Sequence, residues 1–178
     1  MPHRIAFALI LICVLPSFGQ QREIDSLHIV LSTTTDDVSR IKTLTELCWH
    51  YRFINADTAR QYGLRALADA RRIESTELEV EALHNVGVTH EAQGNYADAL
   101  FYEEQALALR KKIGNEAALA NTLNNLGVIH DEKGDFNKAL DFYFEALRIY
   151  EKLNDQPKIA MVAVNMGIVY REMKEYDK

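Results

Sequence analysis

A glycine returns every forty residues along this chain: Gly87 in HNVGVTHEAQGNYADAL, Gly127 in NNLGVIHDEKGDFNKAL and Gly167 in VNMGIVYREMKEYDK. A period of this size means that one supersecondary unit is stacked on copies of itself, which excludes a fold built round a single central core. The register extends beyond the glycine. Asn85, Asn125 and Asn165 stand two residues before it, Tyr96, Phe136 and Tyr176 nine residues after it, and Ala99/Ala139 and Ala106/Ala146 keep step.

These residues resemble tetratricopeptide repeats, in the longer forty-residue form seen in kinesin light chains and in many bacterial signalling proteins. The resemblance implies an all-α fold, an α-α superhelix or solenoid of antiparallel helix pairs, used for interaction rather than chemistry. On that frame residues 1–19 are a leader, 20–36 an N-terminal helix and linker, 37–75 an atypical first repeat, 76–115 the second, 116–155 the third and 156–178 an incomplete fourth.

The second repeat is expected to pair helices near 77–93 and 96–113, and the third near 116–133 and 136–153. Gly94 and Gly134 fall where the link between paired helices needs a left-handed residue. Lys174 stands there in the fourth unit. Pro157 fits the first turn of a helix, where a missing N–H is harmless. Earlier, Ile41, Leu44, Leu47 and Cys48 recur at three- and four-residue steps. A turn at Asn55-Ala56-Asp57 follows, then a helix carrying Ala59, Ala66 and Ala70. Aligning Cys48 with Gly87 and Ala59 with Ala99 requires a turn one residue shorter there. REIDSLHIVLS reads as a short amphipathic helix with Ile24, Leu27 and Leu31 on one side, and STTTDD supplies caps for the next.

Glycine inside a helix costs about 1 kcal/mol relative to alanine, so the recurring glycines need an offset, and close helix approach supplies one. Asparagine in a helix interior also needs a reason. In related repeats the first helices line the concave surface and asparagines at this place bond the main chain of an extended peptide, so the resemblance implies that role for Asn85, Asn125 and Asn165. A rival reading is a network between neighbouring first helices. His84, Val88 and Glu91 of one repeat, Asn124, Val128 and Asp131 of the next, and Arg171 of the fourth are expected on the same surface, with Glu81 and Asn121 beside them. Glu46, Trp49 and Arg52 are the corresponding residues of the first repeat.

The opening MPHRIAFALILICVLPSFGQQ has a basic start at Arg4, eleven apolar residues from Ile5 to Leu15, a breaker at Pro16 and small residues at Ser17 and Gly19. That is the pattern of a secretory signal peptide cut after Gly19, too short to span a bilayer. The expected location is periplasmic or extracellular. The chain carries a net charge of −6, and loss of a leader containing Arg4 leaves 19 basic against 26 acidic residues. Such a chain is a poor nucleic-acid binder. Its dense basic cluster, Arg71-Arg72 with Arg60 and Arg65, reads as the exposed side of one helix. Only Cys48 would survive removal of the leader, so stability must come from packing without a disulfide.

His50, His84, His90 and His130 do not make a metal or acid–base site by spacing. His90 and His130 match each other at a place where the family usually has an interhelical tyrosine such as Tyr170, so they read as packed aromatic substitutes. HEAQG lacks the second histidine of a zinc-binding helix, and there is no phosphate loop, nucleophile elbow or CxxC pair. No catalytic residue, metal or cofactor is expected, and the partner is a protein or peptide. An alternative is that the chain is the N-terminal sensor portion of a larger bacterial signalling protein, a histidine kinase, cyclase or transcription regulator, truncated here.

Overall fold

The computed structural model describes residues 18–173, with side chains from Gly19 onward. The leader before Phe18, Lys174 and Tyr176 fall outside the described residues, among which there are eight α-helices and no strand. The chain divides into two compact units, one through Gln93 and one from Gly94.

In the first unit α1 (Phe18–Thr33), α2 (Asp37–Tyr51), α3 (Ala56–Arg72) and α4 (Thr76–Glu91) follow one another through short turns. Helix α1 packs on α2, while α3 packs on both α2 and α4, which also touch each other. Asp36 caps α2 by accepting the Ser39 N–H at 2.7 Å, and Asn55 caps α3 by accepting that of Thr58 at 3.0 Å. Ala56 and Asp57, expected in the turn, belong instead to the first turn of α3, because Asn55 serves as its cap. Ile41, Leu44, Leu47 and Cys48 of α2, and Ala59, Ala66 and Ala70 of α3, are all fully buried.

Helix α1 is longer than the sequence pattern indicated. Ile24 is buried and Leu27 and Leu31 half-buried. His28 Nε2 lies 3.2 Å from the Tyr51 hydroxyl and shares an aromatic cluster with Tyr51 and Tyr62, whose rings are 5.7 Å apart. Gln20 donates to the His50 carbonyl at 3.2 Å. The helix thus covers one side of α2.

The second unit holds α5 (Tyr96–Ile113), α6 (Glu116–Glu132), α7 (Phe136–Lys152) and α8 (Gln156–Glu172). Helix α5 packs on α6, and α7 packs on α6 and α8. The core joins Ala120 and Leu123 of α6, Ala139, Leu140, Tyr143, Ala146 and Tyr150 of α7, and Val162, Met166 and Val169 of α8, with Phe136 and Leu147 packed against it. Pro157 occupies the first turn of α8, behind the Asp155 cap.

Gly94 and Gly134 are left-handed, at φ 71° and 84°. At Gly134 the chain closes a Schellman turn, with Asp135 N–H donating to the His130 carbonyl at 2.8 Å. Two of the links from one pair to the next use the same device. Glu74 and Asn154 reach φ 56° and 54°, and Ser75 and Asp155 N–H bond back to the Ala70 and Tyr150 carbonyls. The α2–α3 turn differs: Ile54 and Asn55 N–H both return to the Tyr51 carbonyl, and no residue of that turn is left-handed.

The mid-helix glycines behave according to their neighbours. A Cβ at Gly127 would lie 2.5 Å from Tyr143 Cε1, so α7 comes as close to α6 as glycine permits. In the first unit the sizes are exchanged. Cys48 stands on α2, and Gly63 of α3 makes room: a Cβ there would meet Cys48 Sγ at 2.8 Å and Val86 Cγ2 at 2.6 Å. Burial pushes the Cys48 thiol pKa up, and its sulfur bonds Thr89 Oγ1 at 3.5 Å, so it acts as a packing group. At Gly167 nothing lies within 4 Å of an added Cβ.

Two glycine replacements should therefore move in opposite directions. Gly127→Ala should lower stability by about 1–3 kcal/mol through overpacking against Tyr143, whereas Gly167→Ala should raise it by up to about 1 kcal/mol through helix propensity. Thermal or urea melts of the two variants read this directly, and equal gains would mean that the α6–α7 contact is looser than described.

Candidate protein-binding faces

In the first unit α2 and α4 lie side by side in front of α3, which leaves one face of each turned away from the core. A cavity of about 260 Å³ opens there between Thr45, Glu46 and Trp49 of α2 and His84 and Asn85 of α4. Asn85 is half-buried and its Nδ2 donates to the Glu81 carbonyl one turn back at 3.0 Å. That bond engages one amide N–H within its own helix, and no described group bonds the amide oxygen. His84, Val88 and Glu91 are half-buried on the same helix, and Trp49 is 43% exposed.

In the second unit the corresponding face belongs to α6 and α8. Asn165 Nδ2 donates to Asn124 Oδ1 at 3.2 Å, and Asn124 is buried, so these two side chains bridge neighbouring first helices. Asn125 is half-buried and makes no side-chain hydrogen bond within the described residues. Asn121 turns towards α7, where its Oδ1 accepts from the Tyr150 hydroxyl at 2.8 Å. Burial, with Asp155 nearby, pushes the Tyr150 pKa up to about 12, so this hydroxyl remains a donor throughout the neutral range. The three equivalent asparagines are thus placed in three different ways.

Val128 and Asp131 are half-buried and Arg171 is exposed, 3.4 Å from Glu172. Burial first, and the nearby Glu172 carboxylate second, push the Asp131 pKa up. Burial and Asp131 do the same to Glu132. This end of the face is anionic. His130 is buried beside it, stacked on Phe142 with ring centroids 5.4 Å apart and with Nδ1 3.3 Å from Asp135 Oδ2. It packs as the aromatic residue its position calls for.

The basic cluster of α3 is engaged by carboxylates: Arg60 with Asp57 at 2.6 Å, Arg71 with Glu79 at 2.7 Å and Arg72 with Asp37 at 2.9 Å. Arg65 is exposed. Among the described residues no group of three or more His, Cys, Asp or Glu could hold a metal, and no helix is long and apolar enough to cross a membrane.

The sequence profile for the tetratricopeptide repeat matches residues 51–112 and 118–178. The chain belongs to the tetratricopeptide repeat family. As a tetratricopeptide repeat protein it is a protein–protein interaction module, and its helix pairs are the family's structural unit. Among solved structures it is similar to BtubC (BKLC) from P. vanneervenii, at 19% identity and TM-score 0.71, covering 87% of this chain and 64% of that one. It is also similar to a Rap protein complexed with competence and sporulation factor, at 18% identity and TM-score 0.77, covering 90% and 47%. A third is aspartyl phosphate phosphatase F from Bacillus subtilis, at 13% identity and TM-score 0.78, covering 90% and 45%. Identities this low show a shared fold alone. The chain spans from under half to just under two thirds of the length of these three proteins. No curated protein sequence matches it.

The raised Asp131 pKa has a stability consequence with a definite sign. A carboxyl that holds its proton more tightly when folded weakens the fold once ionised, and this cost disappears as pH falls through the raised value to below about 4. Asp131→Asn should therefore stabilise the protein at pH 7, by less than about 1 kcal/mol given its partial exposure, and give no gain at pH 3.5. Melts at the two pH values check it, and a loss at pH 7 would show that Asp131 is held by a favourable contact.

Proposed function

We propose that this chain is an exported protein-binding module that grips an extended peptide, or a segment of a partner protein, along the exposed face of its first helices. The observation that carries the reading is the cavity between Trp49 and His84–Asn85. An exposed indole and a side-chain amide stand there on adjacent helices, beside open space rather than against the core. A side-chain amide matches a peptide group whatever the ligand's side chains, while tryptophan supplies area at low entropic cost. Asn85, Asn125 and Asn165 are the proposed main-chain contacts, with His84, Val88, Glu91, Asn124, Val128, Asp131 and Arg171 setting preference around them. Asn124 and Asn165 would act as a pair, since each already bonds the other.

A second reading, as the N-terminal sensor portion of a longer bacterial signalling protein, is supported by the partial coverage of the Rap protein complexed with competence and sporulation factor. The reading frame beyond Lys178 separates the two. Continuation into an apolar span and an effector domain favours the sensor, and a stop codon favours the free-standing module.

Two measurements test the main reading. Replacing Asn85 and Asn125 together with alanine should leave the melting transition within about 1 kcal/mol of the parent, alanine being the better helix former. Affinity for peptides selected from a displayed library should fall about fivefold to a hundredfold, at roughly 0.5–1.5 kcal/mol per hydrogen bond. Asn165→Ala is a poorer probe, because it strands the buried Asn124 oxygen. Full affinity in the double variant would make these asparagines structural. Separately, the intact mass of the secreted protein should correspond to a chain starting at Gln20, and a species retaining Met1 would overturn export with cleavage at this position.

A further inference from the structure

The α2–α3 turn carries residues that folding does not explain. Where the later turns read Gln93-Gly94 and Lys133-Gly134, this one reads Arg52-Phe53-Ile54. Phe53 is 75% exposed and Ile54 38%, with Trp49 exposed one turn earlier, so an aromatic and aliphatic patch reaches the surface there. Arg52 organises it. Its guanidinium carbon lies 3.4 Å from the centroid of the Trp49 ring and 4.5 Å from that of Phe53, and one Nη donates to the Trp49 carbonyl at 2.5 Å.

The guanidinium is held on its aromatic faces, yet no described carboxylate pairs with it. In the same unit Arg40, Arg60, Arg71 and Arg72 are each paired with an aspartate or glutamate. Lys42 and Arg65 also lack such a pair but are exposed. Arg52 is half-buried, and that burial lowers its pKa, so this cation bears a desolvation cost that no carboxylate among the described residues of the unit offsets. Stacking against two rings restrains the fork, and only one of its N–H donors is engaged, with the Trp49 carbonyl. A fixed guanidinium edge fits a carboxylate bidentately.

We propose that the Trp49–Arg52–Phe53 stack is an anchor site for an aspartate or glutamate side chain of the bound peptide, beside the cavity lined by Glu46, Trp49, His84 and Asn85. This rests on the peptide-binding reading above and names the chemistry that one end of the ligand must carry. Glu46 on the cavity wall works in the same direction, because it disfavours a second acid in the cavity and so fixes which ligand residue is the acidic one.

The test uses the full-length chain and a random peptide library displayed with both peptide ends fused, so that no terminal carboxylate is presented. Selected sequences should share an aspartate or glutamate at one position. Synthetic versions with blocked ends should lose about tenfold to a hundredfold in affinity when that acid becomes Asn or Gln. Arg52→Gln should lose as much and no longer distinguish acid from amide, while Arg52→Lys should keep part of the preference, having the charge without the fork. Because the acid-to-amide change is made in the peptide, it decides the matter even if Arg52→Gln melts early. Selected peptides without a shared acid, or unchanged discrimination by Arg52→Gln, overturn the anchor. If those same peptides still depend on Asn85, peptide binding stands and only the anchor falls. A library that yields no binder, or only binders that require a free C-terminal carboxylate in a second display format, overturns the anchor, and the former overturns the proposed function with it.

Discussion

The approach of α7 to α6 at Gly127 is the constraint from which the rest of the second unit follows. With no side chain at that point, the Tyr143 ring lies against α6 at Gly127, and fully buried alanines at positions 120, 139 and 146 complete the same core. The first unit reaches the same spacing with the bulk moved to the other helix, cysteine on α2 and glycine at position 63 of α3. Interiors this dense punish a change of one methylene. What is conserved between the units is therefore a sum of volumes across a pair, and no disulfide is needed to hold it.

Much of this was legible from periodicity. The limits of α4 to α7, the left-handed glycines at 94 and 134, a cap for α2 within STTTDD and the buried alanines follow from residue type and spacing alone, because each depends on local backbone geometry. Asn55, by contrast, reads as part of a turn and proves to be the cap of α3. Gly63 escaped notice although it stands forty residues before Glu103 and eighty before Tyr143. Its partner Cys48 is out of step with Gly87 by one residue, which hid the exchange of sizes. The three asparagines show a different limit: a repeat marks where a side chain sits but not which neighbour it meets. Asn165 found Asn124, a residue with no fixed counterpart in the other units, and Asn121 turned to a tyrosine hydroxyl on α7. The part played by α1 was also invisible, since His28 depends on Tyr51 and Tyr62, far from it in sequence.

The exposed faces of the two units differ in electrostatic character. On α2 and α4 an indole, an imidazole and an unpaired guanidinium accompany the Asn85 amide. On α6 and α8 the carboxylates of Asp131, Glu132 and Glu172 dominate, and burial, with a neighbouring carboxylate second, raises the pKa of Asp131 and Glu132. A ligand that used either face would be read by charge as well as by its backbone, and in an acidic chain the cationic patch is the rarer and more discriminating feature.

The corners of the array stand apart from its interior. A Cβ added at Gly94, Gly114 or Gly134 would meet nothing, and the α2–α3 corner makes its reversal with no left-handed residue at all. At Gly94, Gly114 and Gly134 a side chain would still strain the left-handed backbone, which leaves the α2–α3 corner the freest to exchange residues without disturbing the packed helices behind it. The interior therefore acts as a frame and the α2–α3 corner as its editable edge, where Arg52, Phe53 and Ile54 can be rewritten while Asn55 keeps the cap of α3.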